Sequence, residues 1–416
     1  MYFSEDLLSL ADRVETRIEG RLKEIDRLID FNQWKVLDVF RKHRVSDYHF
    51  ASSTGYGYND RGREVLDTVY ADIFKAESGI VRPHFVSGTH TIAAALFGVL
   101  RPGDHFLFIT GKPYDTLHKV IGKDRDGTGS LSDWGICYDH VELLPDGTVD
   151  WERVRGAIKE NTRLIGIQRS RGYEWRASFS VEDIAEMVRR IKEIRSELIV
   201  FVDNCYGEFT ESREPTEAGA DLLAGSLIKN PGGGLAPSGG YIVGRRKYVE
   251  LAANRLTAPG IGGEVGAMLG TTRAFYQGLF LAPHIVGQAL KGSVFAAGMF
   301  EEFGFATQPR WDAPRSDLIQ AIQFANQDHL IAFVQSIQQA SAIDAHVVPE
   351  PWDMPGYEHP VIMAAGTFIQ GGSLELSADA PIRQPYIAYL QGGLTYSHAK
   401  LGVLHAISSM LGKGLL

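Results

Sequence analysis

The chain has little cysteine, no long apolar run and no surplus of positive charge. Its 416 residues hold two cysteines, Cys137 and Cys205. Two thiols cannot build a disulfide framework, and no CxxC or Cys/His cluster suggests a zinc site. No stretch of 18 or more apolar residues occurs, so no membrane-spanning helix is expected. The first segment, MYFSEDLLSLADRVETRIEG, is amphipathic and charged, without the uninterrupted apolar core of a signal peptide. A cytoplasmic location is the expectation. The net charge of −9 argues against nucleic acid as a partner. No internal repeat or low-complexity linker appears.

What is present is an ordinary globular composition in a chain too long for one core, so two domains are expected. Residues 1 to about 45 read as helix, because Leu7, Leu8, Ala11, Val14, Ile18, Leu22, Ile25 and Leu28 recur at three- and four-residue steps. A Gly- and Tyr-rich loop follows at 51–64. The apolar runs VRPHFV (81–86), HFLFIT (105–110), RLIGIQ (163–168), LIVFVD (198–203) and GYIVG (240–244) then read as buried strands. Helical patterns lie between them at 90–100, 150–160 and 180–194, with Asp150 and Ser180 placed as N-caps. Such alternation predicts an α/β domain with a mostly parallel sheet. From about Gly292 the pattern changes. Residues 316–341 read as mostly helix, HPVIMAAGTF and GSLELSA as strands, and 397–411 as a last helix, a smaller α+β domain. The expected divisions are an N-terminal helical arm at 1–55, a large domain at 56–291 and a small domain at 292–416.

Ligands of open α/β sheets sit at the carboxyl ends of the strands, so the residues after each strand carry the functional reading. After VRPHFV comes SGTHT, where Ser87 and Thr89 offer hydroxyls and Gly88 permits close approach at a helix start, an anion cup. A plain helix cap explains it equally well. After HFLFIT comes GKPYDTL, where Tyr114 could cover a planar ring or simply pack at the rim. LIVFVD ends on Asp203, costly to bury without a cationic or hydrogen-bonding partner. A protonated pyridine nitrogen is such a partner, and a structural ion pair is another. Then comes GSLIKNPGGG, with Ser226 three residues before Lys229. Burial should weaken the charged form of this lysine and favour a nucleophilic amine. The ordered set supplies a phosphate cup, a ring face, an acid for the ring nitrogen and an amine for an aldehyde, the needs of pyridoxal 5'-phosphate. GEFTESREPTE (207–217), with four glutamates, reads as a solvated face rather than a metal site. Cys205 reads as a buried small residue.

The motifs GYGYNDRGRE, SGTHTIAAALFGVLRPGD, GKPYDTLHKVIG, IQRSRGYEWR, FVDNCYGEFTE, GSLIKNPGGGLAPSGGYIVG, VVPEPWDMPGY, VIMAAGTFIQGGSLELSADAPIR and YLQGGLTYSH cover nearly the whole chain. The sequence resembles the methionine gamma-lyase-like, or aluminium resistance protein, branch of the fold-type-I pyridoxal-phosphate enzymes of the Cys/Met metabolism group. The resemblance implies that Lys229 carries the cofactor and Asp203 keeps its pyridine nitrogen protonated. It implies further that Tyr114 stacks on the ring and that Gly88, Thr89 and Ser226 contact the phosphate. A Tyr and an Arg of the GYGYNDRGR loop, Tyr56 or Tyr58 with Arg61 or Arg63, would reach the phosphate of a neighbouring subunit in a homodimer or homotetramer. The relatives' Glu-Ser-Pro-x-Asn-Pro stretch is replaced here by IQRSRGY, with Arg169 and Arg171. Arg383 is the expected anchor for the substrate carboxylate and Arg171 the alternative. The implied activity is carbon–sulfur lysis by β- or γ-elimination of methionine, cystathionine or cysteine. Other reactions on the same cofactor (aminotransfer, aldol cleavage, desulfuration) and a non-enzymatic stress or metal-resistance role are the alternatives.

Overall fold

The computed structural model describes residues 3–122, 127–354 and 357–416. The start of the expected arm, Met1 and Tyr2, and the Pro355–Gly356 pair of the VVPEPWDMPGY motif lie outside the described residues. The chain opens with a long helix, α1 (Glu5–Lys42), then α2 (Arg61–Ile73) and β1 (Ser78–Arg82). Helix α3 (Gly88–Val99) leads to β2 (His105–Phe108), α4 (Asp115–Ile121) to β3 (Cys137–His140), and α5 (Trp151–Ala157) to β4 (Thr162–Gln168). After α6 (Val181–Ile194) come β5 (Ile199–Asp203), β6 (Leu222–Ser226), β7 (Gly240–Gly244), α7 (Arg246–Leu256) and α8 (Thr272–Glu302). The C-terminal part contains β8 (Ala306–Gln308), β9 (Gln320–Gln323), α9 (Gln327–Gln339), β10 (Val361–Ala364), β11 (Ser377–Pro381), β12 (Ile387–Gln391) and α10 (Tyr396–Gly412).

The large sheet has seven strands in the order β1-β7-β6-β5-β4-β2-β3. Strand β7 runs antiparallel to both its neighbours, and the remaining pairs are parallel. Each residue of the central strands β5 and β6 is buried, as expected of a sheet covered on both faces. Two apolar clusters lie on the two faces, one built around α3 and α7, the other around α1, α2, α6 and α8. The second sheet is antiparallel, in the order β10-β11-β12-β9-β8. This is the α/β architecture the alternating pattern predicts, with a smaller sheet after it.

Local chemistry explains the helix starts. Ser180 and Asp183 form a reciprocal capping box at α6, and the Asp150 side chain accepts from the Arg153 amide at α5. Four readings of the sequence differ from the structure. The strand expected at 81–86 ends at Arg82, and residues 83–86 are a turn and loop. Residues 372–376 are not strand, and β11 begins at Ser377. The segment 316–341 contains β9 before its helix, because a run as short as LIQAIQF fits a buried strand as well as a helix turn. Leu8 is 43% exposed, whereas Leu7, Ala11, Val14, Ile18 and Ile25 are buried. The expected boundary at 291/292 falls inside α8, a continuous helix that carries contacts of the large domain at its start and of the small one at its end.

Helix α8 packs so closely that only glycine fits at several points. A Cβ on Gly287 would stand 2.2 Å from Ile29 of α1, and one on Gly298 would stand 2.8 Å from Val14. At the start of α8, a Cβ on Gly278 would lie 2.2 Å from the Gly232 carbonyl oxygen. On the other side of this contact, Gly233 adopts φ +53°, and a Cβ there would meet the Gly278 carbonyl at 2.1 Å. The helix and the loop after Lys229 therefore touch backbone to backbone, where nothing can rotate aside. Gly278→Ala is expected to cost at least about 1–3 kcal/mol through overpacking. A lower urea midpoint at unchanged slope would show it, and an unchanged midpoint would contradict it.

Candidate active site

The carboxyl edges of β4, β5 and β6 open on a cavity of about 440 Å³. Its wall includes Ser87, Gly88, Thr89, Tyr114, Asp203, Ser226 and Lys229, so these seven sequence-chosen residues share one space. Register explains how. Strands β5 and β6 lie side by side with Asp203 opposite Ala224, two residues before the strand delivers Ser226. Lys229 then leaves the sheet edge as the cap of a short 3-10 turn over Asn230–Gly232. Its Nζ sits 3.8 Å from the centroid of the Tyr206 ring, and the residue is half-buried, open to the cavity rather than to the outer surface.

The start of α3 forms the cup. The Ser87 side chain accepts from the His90 amide at 3.1 Å, and Thr91 is the first residue whose amide reaches back to the Ser87 carbonyl. The amides of Gly88 and Thr89 consequently have no acceptor within the helix. Facing them, the buried Ser226 hydroxyl has no partner among the described residues, and a Cβ on Gly88 would close to 3.3 Å of Ser226. Unused donors, a hydroxyl without a partner and a glycine-sized gap together suit a phosphate at a helix N-terminus.

Burial sets the charges. It pushes the Asp203 carboxyl above its usual range, with the Lys229 charge and the Cys205 amide opposing. Burial pulls the Lys229 ammonium down, but Tyr206, Cys205, Asp203 and Glu208 together push it further up. The pull of these polar and acidic neighbours outweighs desolvation, so the site favours the charged form over the free amine that burial alone would give. Burial also keeps Tyr114 a neutral phenol, its pKa well above the ordinary value.

Other sequence-chosen residues lie elsewhere. Tyr56 and Tyr58 stack on each other in an exposed loop, and Arg61 is exposed beside Glu64. Arg63 is buried and donates to the Gly57, Glu264 and Gly266 carbonyls, which pins that loop to the segment before α8. Arg171 is buried against Asp317 and donates to the Gln308 carbonyl, while Arg383 reaches the Tyr173 carbonyl beside Glu174. Neither arginine is among the residues lining the cavity, where Lys229 is the one cation among the described residues. Arg169 is tied to Glu211, Glu214 and Asn204. Within GEFTESREPTE, Glu208 and Glu214 are fully buried, contrary to the solvated face expected of them. The chain turns inward there, and Tyr241 and Arg169 supply partners that no local pattern announces. Sequence reading also missed Tyr173, Tyr206, Tyr357, Tyr389 and Asp379, all on the cavity wall. The run SADAP along β11 was a signal for Asp379, an acid on a strand otherwise built of small residues.

The family model for methionine gamma-lyase matches residues 7–411. The chain belongs to the methionine gamma-lyase family. The uncharacterized protein YnbB of Bacillus subtilis (strain 168) is 56% identical over 413 residues, 99% of this chain and 98% of the relative. A solved structure of a provisionally assigned cystathionine beta-lyase involved in aluminium resistance, from Listeria innocua, is 57% identical, with TM-score 0.94 over 96% of this chain and 98% of that one. A carbon–sulfur lyase involved in aluminium resistance from Clostridium novyi NT is 51% identical, with TM-score 0.94 over 98% and 96%. The family is one of pyridoxal 5'-phosphate-dependent lyases, and the donor set at the cavity fits that cofactor: an anion cup, a buried acid, a lysine and an aromatic wall.

Glu208 lies behind Lys229, where burial pushes its carboxyl from 4.5 up to about 8 against the opposing Tyr241 hydrogen bond. A raised folded-state value means stability that is complete below the unfolded value and is lost as pH rises through about 8. Glu208→Gln should flatten that decline, by up to about 1.4 kcal/mol per pH unit. Denaturant unfolding of both proteins from acid to alkaline pH measures it, and parallel curves would refute the assignment.

Proposed function

We propose that the protein is a carbon–sulfur lyase that releases a thiol from a sulfur amino acid by β- or γ-elimination. The observation that carries the reading is the convergence of Lys229, Asp203, Tyr114 and the α3 cup on one cavity. In this reading Ser87, Gly88, Thr89 and Ser226 hold the phosphate, Asp203 pairs with the pyridine nitrogen and Tyr114 covers the ring. The exposed Tyr56 and Arg61 are free to reach a second copy in a homodimer or homotetramer. Pyridoxal 5'-phosphate, when bound, supplies an electron sink for the carbanion at Cα.

The rest of the chemistry falls to side chains. Lys229 Nζ takes the proton from the substrate Cα once its own charge is relieved. The neighbouring acids that raise its proton affinity make it a stronger base at that moment. Tyr114, kept neutral by burial, has a proton to give the leaving sulfur. The tyrosine-rich wall restricts water around both transfers. In this reading Arg383, beside the Tyr173 carbonyl, anchors the substrate carboxylate, with Arg171 the alternative.

Borohydride reduction should tether the cofactor to the wild type and not to Lys229→Ala. The variant should also lose thiol release by more than about 100-fold. Wild-type protein given methionine, cystathionine and cysteine should yield a thiol and a keto acid from at least one. Cofactor bound without thiol from any of them would reject the lyase reading in favour of another reaction at the same site.

A further inference from the structure

The turn after β5 carries a strained tyrosine whose ring lies against the lysine. Tyr206 adopts φ +69°, a left-handed backbone that bulky side chains rarely take. Glycine or asparagine would fill such a position at lower cost. Strain of this kind persists only where the surroundings enforce it, and it gathers at functional sites. Here the surroundings do enforce it. The Asn204 amide donates to the Ala224 carbonyl of β6 at 3.0 Å, and the Gly207 amide closes on the Asn204 carbonyl at 2.9 Å. Arg169 packs behind, where a Cβ on Gly207 would come within 2.6 Å of its side chain. One turn thus presents Asp203 at the sheet edge and then the Tyr206 ring, with Lys229 Nζ 3.8 Å from the ring centroid. We propose that Tyr206 is a positioning residue of this site, a seat whose ring face holds the Lys229 amine whenever the amine is not joined to the cofactor.

The segment before β11 grips both partners. The Tyr206 hydroxyl donates to the Gly372 carbonyl at 2.9 Å, and the Leu374 amide donates to the carbonyl of Ile228, next to Lys229, at 3.0 Å. A Cβ on Gly372 would stand 2.8 Å from the Tyr206 oxygen, so the segment passes this closely only as glycine. Ring and lysine are therefore set against a common support. Burial pushes the Tyr206 phenol up to about 12, with the Lys229 charge opposing, so the hydroxyl keeps its proton and meets Gly372 as a donor. What the lysine meets is a neutral ring with a negative face.

The inference deepens the lyase reading and rests on the base role given there to Lys229. A base that takes a proton from Cα becomes an ammonium inside a cavity, and that charge needs a counterpart until the proton leaves. A carboxylate in contact would supply one, but its charge-assisted hydrogen bonds would hold the ammonium back. A ring face attracts the ammonium and leaves it free to turn. Tyr206 forms and breaks no bond. In the transfer the Cα–H bond breaks, an Nζ–H bond forms, and the electron pair passes to the sink that the cofactor supplies. The ring fixes where Nζ stands before the transfer and steadies its charge afterwards. Misplacement by an ångström there costs about 100-fold in rate.

The test compares the wild type, Tyr206→Phe and the protein with pentafluorophenylalanine at position 206. Fluorination keeps the shape of the ring and reverses the charge on its face. The holoenzymes are given methionine, cystathionine and cysteine in heavy water. Exchange of the Cα hydrogen then reads the proton transfer without requiring thiol release. Tyr206→Phe should exchange about 5-fold more slowly than the wild type, for the lost hydroxyl bond. The fluorinated protein should be slower than Tyr206→Phe by a further factor of about 10, at an unchanged half-saturating concentration of the amino acid. A ring that merely fills space would give both the same rate. The second readout is magnetic resonance of the full chain with isotope-labelled lysine, and it needs neither cofactor nor substrate. The Lys229 Cε proton signal, identified by its loss in Lys229→Ala, should lie upfield in the wild type and Tyr206→Phe, shielded by the ring. In the fluorinated protein it should return toward the ordinary lysine position. Equal exchange rates in the two ring variants, or an ordinary Lys229 signal in the wild type, overturns the proposal. If exchange proceeds and no thiol appears, the lyase reading fails by itself and both measurements still decide the seat. If the wild type shows no exchange, the Lys229 signal alone decides it. If the fluorinated protein does not fold, Tyr206→Leu removes the ring and the same outcomes are read on it.

Discussion

The backbone contact between the loop after Lys229 and the first turns of α8 governs much of this molecule. Gly232, Gly233 and Gly278 meet with no side chain between them, so the lysine loop is pressed onto a rigid helix. The same helix receives α1 along its length and α10 and the second sheet near its end, with Phe300 packed on Phe333 of α9. The loop is tied to the small domain as well, because the Leu374 amide donates to the Ile228 carbonyl at 3.0 Å. One helix thus backs the lysine loop, and the same helix carries α1 and the outer strands of the second sheet. A lysine that must act on a defined atom needs such a support, since misplacement by an ångström is costly.

Electrostatics at the cavity are set by scarcity of positive charge. Among the described residues one lysine faces Asp203, Asp379 and the more distant Glu208, with five tyrosines on the same wall. The acids are raised by burial and the lysine is raised by the acids. Protons are therefore held on oxygen and nitrogen atoms that an exposed site would leave ionised or free. Three of the arginines singled out in the sequence make structural contacts. Arg63 clasps loop carbonyls, Arg169 pairs with the buried Glu214 and with Glu211, and Arg171 bridges to Asp317 across the junction of the two sheets.

The parts legible in the sequence were those carried by local pattern. Apolar runs marked β2, β4, β5 and β7, helical periodicity marked α1, α6 and α10, and Asp150 and Ser180 marked helix starts, because each depends on neighbours a few residues away. Asp203 and Lys229 were legible for a related reason: each follows an apolar run at the sheet edge where such folds bind ligands. The glutamates at 208 and 214 were misread because their partners, Tyr241 and Arg169, lie 33 and 45 residues off along the chain, and no composition rule reports a partner.

The sequence alone determined the alternation of strands and helices along the chain and the fold class, and it set Asp203 and Lys229 after apolar runs, since these rest on short-range periodicity and on residue chemistry at strand ends. The tertiary structure decided which acids are buried, which arginines are occupied, and that Tyr114, Tyr173, Tyr357 and Asp379 share one wall. Those four come from three loops and a strand of the second sheet. Only the packing of one domain against the other sets hydroxyls and a carboxylate from such distant segments within hydrogen-bonding reach.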